Sequence, residues 1–141
     1  MIDISNVVLR HIREAVTSEY ANCECLSYNP DTISAYPCVT VSEMDNYTYE
    51  ESLDDSNSEH HAVVVFEINA YSNNSAGTKS EAKKIMNIAD NTMLGLKFTR
   101  TLKTELPNKD RSVYRVYARY KAIVSAGTDI GGDTIHQVYR R

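Results

Sequence analysis

Apolar residues recur every four positions at Ile4, Val8, Ile12 and Val16, with Val7 and Ala15 beside them. That spacing lays one apolar stripe along a helix and predicts α-helix from Ser5 to about Thr17. Asp3 or Ser5 can cap its start, because either side chain can accept from an unpaired backbone N–H of the first turn. A polar stretch from Asn22 to Asp31 follows, with Asn29-Pro30-Asp31 marking a turn. Pro37 then opens a strand over Cys38–Glu43, where a first-position proline removes no ladder bond. Asp45 to Glu59 is rich in Asp, Glu, Asn and Ser and reads as an acidic excursion, with room for a short strand at Tyr47–Tyr49.

The clearest strand runs from His60 to Tyr71. Ala62, Val64, Phe66, Ile68 and Ala70 fall on one face, and Val63, Val65, Glu67, Asn69 and Tyr71 on the other. Both faces begin apolar, which predicts a central strand. Ser72–Thr78 is a turn by composition. A second helix is expected from about Lys79 to Leu94, its stripe made by Ala82, Ile85, Met86, Ala89 and Met93. Thr78 and Glu81 have capping-box spacing, and Gly95 stands where a helix end favours glycine. Two strands follow, Leu96–Leu102 and Val113–Val124, separated by a turn at Pro107–Asp110. The last alternates Tyr114, Val116, Ala118, Tyr120, Ala122 and Val124 against Arg115, Tyr117, Arg119 and Lys121. Short turns make neighbouring strands antiparallel, and two one-sided helices need one sheet face to cover. The predicted fold is α+β, a mainly antiparallel sheet with both helices packed on one face. Residues 1–126 form the single domain. Residues 127–141, with a strand expected at Thr134–Tyr139, read as a C-terminal arm.

Composition narrows the function. The chain has 141 residues, enough for one domain with an unstapled core. Fifteen Lys and Arg against nineteen Asp and Glu give a net charge of -4, a poor basis for general nucleic-acid binding. No segment approaches the roughly 18 or more apolar residues of a membrane span, and the N-terminus does not read as a signal peptide. Three cysteines are an odd number, and reduced thiols in a cytosol are the simpler expectation.

Chemistry-bearing motifs are sparse. Cys23-x-Cys25 with Cys38 and His60-His61 could be written as a zinc site, but it lacks two paired clusters at C-x₂₋₄-C spacing. Glu50, Glu51, Asp54 and Asp55 lack the alternating ligands and glycine of a calcium loop and read as solvated. His11, His60, His61 and His136 are scattered, and no serine-hydrolase, zinc-protease or phosphate-loop motif occurs. Neither a catalytic residue, a metal nor a cofactor is assigned.

The middle of the chain carries a resemblance. VVVFEINAYSN (Val63–Asn73) precedes a GTKSEAKKI helix (Gly77–Ile85), then Ala89-Asp90, MLGLKF (Met93–Phe98), the Pro107 turn and the basic-aromatic SVYRVYARYKAIV (Ser112–Val124). This order resembles the tail-terminator and minor-capsid-like tail-completion proteins of bacteriophages and prophages, over roughly Val39–Val124. The resemblance implies a virion protein, made in the bacterial host cytoplasm, that forms a homo-oligomeric ring, commonly of six. Such a ring stops growth of the tail tube and presents a surface to the head-tail connector, with DNA only passing through. A neck protein bridging portal and tail is the alternative in the same biology; a small cytosolic enzyme or ligand-binding domain is the alternative outside it.

A head-to-tail ring joins two unlike surfaces of each subunit. The candidate interface is the acidic Glu50, Glu51, Asp54 and Asp55 against Arg100, Arg115, Tyr117, Arg119 and Lys121. Tyr and Arg are enriched at such contacts. The solvated strand face of a monomer, or the lining of a ring passage, is the other reading of Arg115, Arg119 and Lys121. The expected core comprises Ile12, Val16, Phe66, Ile68, Ile85, Met86 and Ala89. Placing an unpaired carboxylate there with Ile85→Asp is expected to unfold the domain. A thermal melt at the wild-type temperature would refute the packing.

Overall fold

The structure is a computed structural model describing residues 3–48, 61–74, 77–106, 112–130 and 133–139. Its elements run α1 (Ser5–Thr17), β1 (Glu24–Leu26), β2 (Cys38–Thr48), β3 (His61–Ser72), α2 (Thr78–Gly95), β4 (Thr99–Leu106), β5 (Tyr114–Ile130) and β6 (Asp133–Tyr139). All six strands form one sheet in the order β1-β2-β3-β5-β4, with β6 also paired to β5. Among the described residues only the β1–β2 pair is parallel. The fold is α+β and mainly antiparallel. Among the described residues no helix is long and apolar enough to cross a membrane.

Both helices cover the same face of the sheet. Val7, Val8, Ile12 and Val16 of α1 meet Ile85, Met86, Ala89 and Met93 of α2 over Val39, Val41, Val64, Phe66, Ile68, Val116, Ala118 and Tyr120. Every residue expected in the core is buried there. Phe98 enters edge-on to Phe66, with ring centroids 5.8 Å apart. The Asp90 carboxylate is buried with them. Asp90 Oδ1 accepts from Tyr120 Oη at 2.7 Å and from Arg100 Nη1 at 2.9 Å, tying α2 to β5 and β4. Burial, with the Asp90 carboxylate second, pushes the Tyr120 phenol well above its usual range.

β3 is central, as its two apolar faces require. β2 pairs one edge and β5 the other, in unbroken register from His61↔Ser125 to Ser72↔Tyr114. β5 is 17 residues long, about 55 Å at about 3.3 Å per residue. Its edge away from β3 pairs β4 over Arg115–Lys121 and then β6 over Ile123–Ile130. Past Ser125 it has outrun β3 and continues with β6 alone.

Several boundaries differ from the pattern. β2 continues through the start of the expected acidic excursion to Thr48, because Asp45, Asn46, Tyr47 and Thr48 pair with β3 beyond a bulge; residues 49–60 lie outside the described residues, as does the expected turn at 107–110. The buried Ile4 is the N-cap of α1, while Asp3 Oδ1 accepts the Ser5 N–H at 3.0 Å. At α2 the capping box does not form. Thr78 is already helical behind Gly77, and Glu81 instead accepts from Ser72 Oγ at 2.7 Å and Asn74 Nδ2 at 3.1 Å, anchoring the helix to the end of β3.

The end of α2 is also displaced from its glycine. Lys97 N–H bonds the Leu94 carbonyl and Phe98 N–H the Met93 carbonyl, both at 3.0 Å. That is a Schellman cap, and its left-handed residue is Lys97, φ 71°, with Gly95 still inside the helix. A left-handed backbone costs a non-glycine residue about 1–2 kcal/mol, against about 0.4–1 kcal/mol for the freer unfolded chain that glycine brings. A Cβ at Gly95 would meet nothing within 4 Å. Lys97→Gly should therefore stabilise by about 0.5–1 kcal/mol, and Gly95→Ala by about 0.8–1 kcal/mol. Both should raise the urea midpoint; a fall in the Lys97→Gly variant would contradict this cap.

Candidate functional site

The sheet face opposite the helices is covered at one end and open at the other. At the covered end, the connection after β1 lies over β2 and β3, where Ile33 and Tyr36 pack on Cys38, Tyr71 and Val113. Beneath it runs a polar network. Asn69, 0% exposed, donates from Nδ2 to Thr40 Oγ1 at 3.2 Å and Asn29 Oδ1 at 3.3 Å, and Thr40 Oγ1 donates to Asn29 Oδ1 at 2.7 Å. Glu67 Oε1 accepts from Asn29 Nδ2 at 2.7 Å and Ser42 Oγ at 3.3 Å. Each buried amide and hydroxyl thereby has a partner, which is the condition for burying it cheaply.

The basic residues of β5 extend this network. Arg115 Nε donates to Asn69 Oδ1 at 2.8 Å while its guanidinium lies 5.5 Å over the Tyr71 ring. Tyr117 Oη donates to Glu67 Oε2 at 2.9 Å and accepts from Arg119 Nε and Nη2 at 3.3 and 3.1 Å. Arg115 and Arg119 are thus bound into their own sheet. Lys121 has no ion pair or hydrogen bond among the described residues. Arg100 does not share this face. It pairs with Tyr120, whose side chain is in the core, and so points to the helix side and Asp90. Arg115, Tyr117, Arg119 and Lys121 are brought together; Arg100 is not. Glu50, Glu51, Asp54 and Asp55 lie outside the described residues.

Two β-bulges shape the open end. One falls in β2 between Glu43 and Asp45, opposite Phe66 and Val65; the other falls in β4 between Arg100 and Leu102, opposite Tyr120 and Arg119. Val65 in turn pairs with Lys121, so the bulges face each other along one row of the sheet, about 14 Å apart at about 4.8 Å per strand. A bulge breaks the alternation of faces. Met44 and Asp45 consequently both lie outward, as do Thr101 and Leu102. Between them is an open groove of about 260 Å³, lined by Met44, Asp45, Val65, Thr101, Arg119 and Lys121. Met44, which lines it, is 46% exposed, and on the same face Tyr47, paired with Val63, and Leu102, paired with Arg119, are 45% and 42% exposed. The volume falls below the roughly 300–1,000 Å³ of pockets that engulf small ligands.

The thiols gather elsewhere. Cys23, Cys25 and Cys38 are all free, at and beside the β1–β2 pair. Among the described residues no cluster of three or more His, Cys, Asp or Glu is placed to hold a metal ion; His60 lies outside them. A hydrogen bond between the Cys23 and Cys25 thiols, with Arg13 nearby, lowers Cys25. The same bond and then burial raise Cys23, and burial pushes Cys38 up to about 12.

No family model and no curated protein matches the chain.

Because the thiolate is the nucleophile, the half-buried Cys25 should alkylate first with iodoacetamide at mildly alkaline pH. Cys23 and Cys38 should react only as the domain opens. Peptide mapping checks the order, and Cys38 labelling as fast as Cys25 would contradict this placement.

Proposed function

We propose that the chain is a structural assembly subunit that joins copies of itself into a ring, in the manner of the tail-terminator proteins its central segment resembles. In this reading the ring caps the tail tube and offers its other side to the head connector. The observation that supports it best is the groove between the facing bulges. Exposed Met44 lines it, Tyr47 and Leu102 are exposed on the same face beside it, and Arg119 and Lys121 lie within it. Apolar side chains exposed around a polar, positively charged floor have the make-up of a protein contact rather than of a solvated strand face. The groove supplies one of the two unlike surfaces that head-to-tail closure needs.

Light scattering and negative-stain images of the full chain should find a closed oligomer with a central passage. A chain that stays monomeric up to high concentration would sink this reading. Burying a leucine at a contact contributes about 1.5–3 kcal/mol when complete, and Leu102 is partly covered already. Leu102→Glu should therefore weaken association on the order of tenfold, with an unchanged circular-dichroism melt.

A further inference from the structure

The groove selects its occupant by charge and shape. Of its six lining residues two are cations, Arg119 and Lys121, and one is an anion, Asp45. The Asp45 carboxylate accepts the Asn46 backbone N–H at 3.0 Å. Arg119 turns Nε and Nη2 to Tyr117, which fixes its guanidinium beside the groove. Lys121 stands at the centre of the row, between Val65 and Thr99. A fitting partner brings carboxylates for Lys121 and Arg119, and an apolar side chain for Met44, Val65 and Leu102.

The chain contains one segment of that chemistry. Residues 49–60, YEESLDDSNSEH, hold Glu50, Glu51, Asp54, Asp55 and Glu59, no Lys or Arg, and the apolar Tyr49 and Leu53. In chain order they lie between β2, paired as far as Thr48↔Ala62, and β3. Segment and groove are thus two unlike surfaces on every copy, one acidic and one basic.

We infer that the groove between the bulges of one subunit seats the acidic segment 49–60 of a second copy. This rests on the assembly reading above and names the contact that would close the ring. Arg115 and Arg119 hold the floor in shape through Asn69, Tyr117 and Glu67, and Lys121 and Arg119 are the charges that meet the partner.

Complementation between two full-length variants tests it. Lys121→Glu spoils the groove; Asp54→Lys with Asp55→Lys spoils the segment. Each alone should associate on the order of tenfold more weakly than wild type at low salt, with Lys121→Gln intermediate and all melts unchanged. Mixed in equal amounts they should regain wild-type size, because every contact in an alternating ring is then either native or fully reversed. If Lys121→Glu and Lys121→Gln both assemble as wild type, the inference falls and the assembly reading stands. Rescue inside one triple variant but not by mixing overturns it too, since the segment would then contact its own groove. A wild-type chain that never assembles overturns both.

Discussion

Burial of β3 on both of its faces is the constraint on which the rest of the structure depends. Ala62, Val64, Phe66, Ile68 and Ala70 are buried on one side of it and Val63, Asn69 and Tyr71 on the other, where Val65 and Glu67 stay partly exposed. The helix side needs apolar volume, which α1 and α2 supply. It also has to be roofed by elements whose ends reach the right strands. α2 does so by linking β3 to β4, which run parallel because the antiparallel β5 lies between them. Asp90 fixes the roof at one point by binding the innermost hydroxyl of β5 and the guanidinium of β4 together.

The outer side of β3 is solved differently at its two ends. Toward Ser72 the strand carries Asn69, which needs partners once covered. The connection carrying Asn29, Ile33 and Tyr36 therefore brings both apolar cover and a polar residue able to bridge Thr40, Glu67 and Asn69. Toward His61 the outer side is apolar at Val63 and Val65, and there the two bulges bend β2 and β4 around the row. The same face is thus packed at one end and open at the other. Arg115 belongs to the covered part through Asn69 and Tyr71, while Arg119 is held by Tyr117 and lines the open groove.

Much of this was legible in the chain itself. Period-four and period-two patterns are properties of single segments, so α1, α2, β3 and the buried alternation of β5 follow from residues alone, and so does the centrality of β3. What depends on pairing was not legible. β1 is three residues long and parallel to β2, too short to show a period. The network of Asn29, Thr40, Glu67 and Asn69 joins residues 11 to 40 positions apart, each of which alone reads as polar surface. The helix cap on Lys97 sits two residues past the glycine that advertised it, since six consecutive backbone groups, rather than a residue type, define the motif.

Arg100 shows how the candidate site itself escaped sequence reading. Charge alone groups it with Arg115, Arg119 and Lys121. Strict alternation along β4 would then place Leu102 on the same face as Arg100, and Thr101 on the face opposite. The bulge separates them: Arg100 goes inward to Asp90, while Thr101 and Leu102 both turn outward. The bulge at Met44 acts likewise on Asp45 across the sheet. Neither bulge is written in a glycine or a turn sequence; each shows only in the pairing register, as one extra residue, Met44 in β2 and Thr101 in β4. The groove is made by that mismatch of lengths, repeated on both sides of Val65 and Lys121. Its position follows from the sheet as a whole, and a side chain at its centre can be matched to a partner only after the register is known.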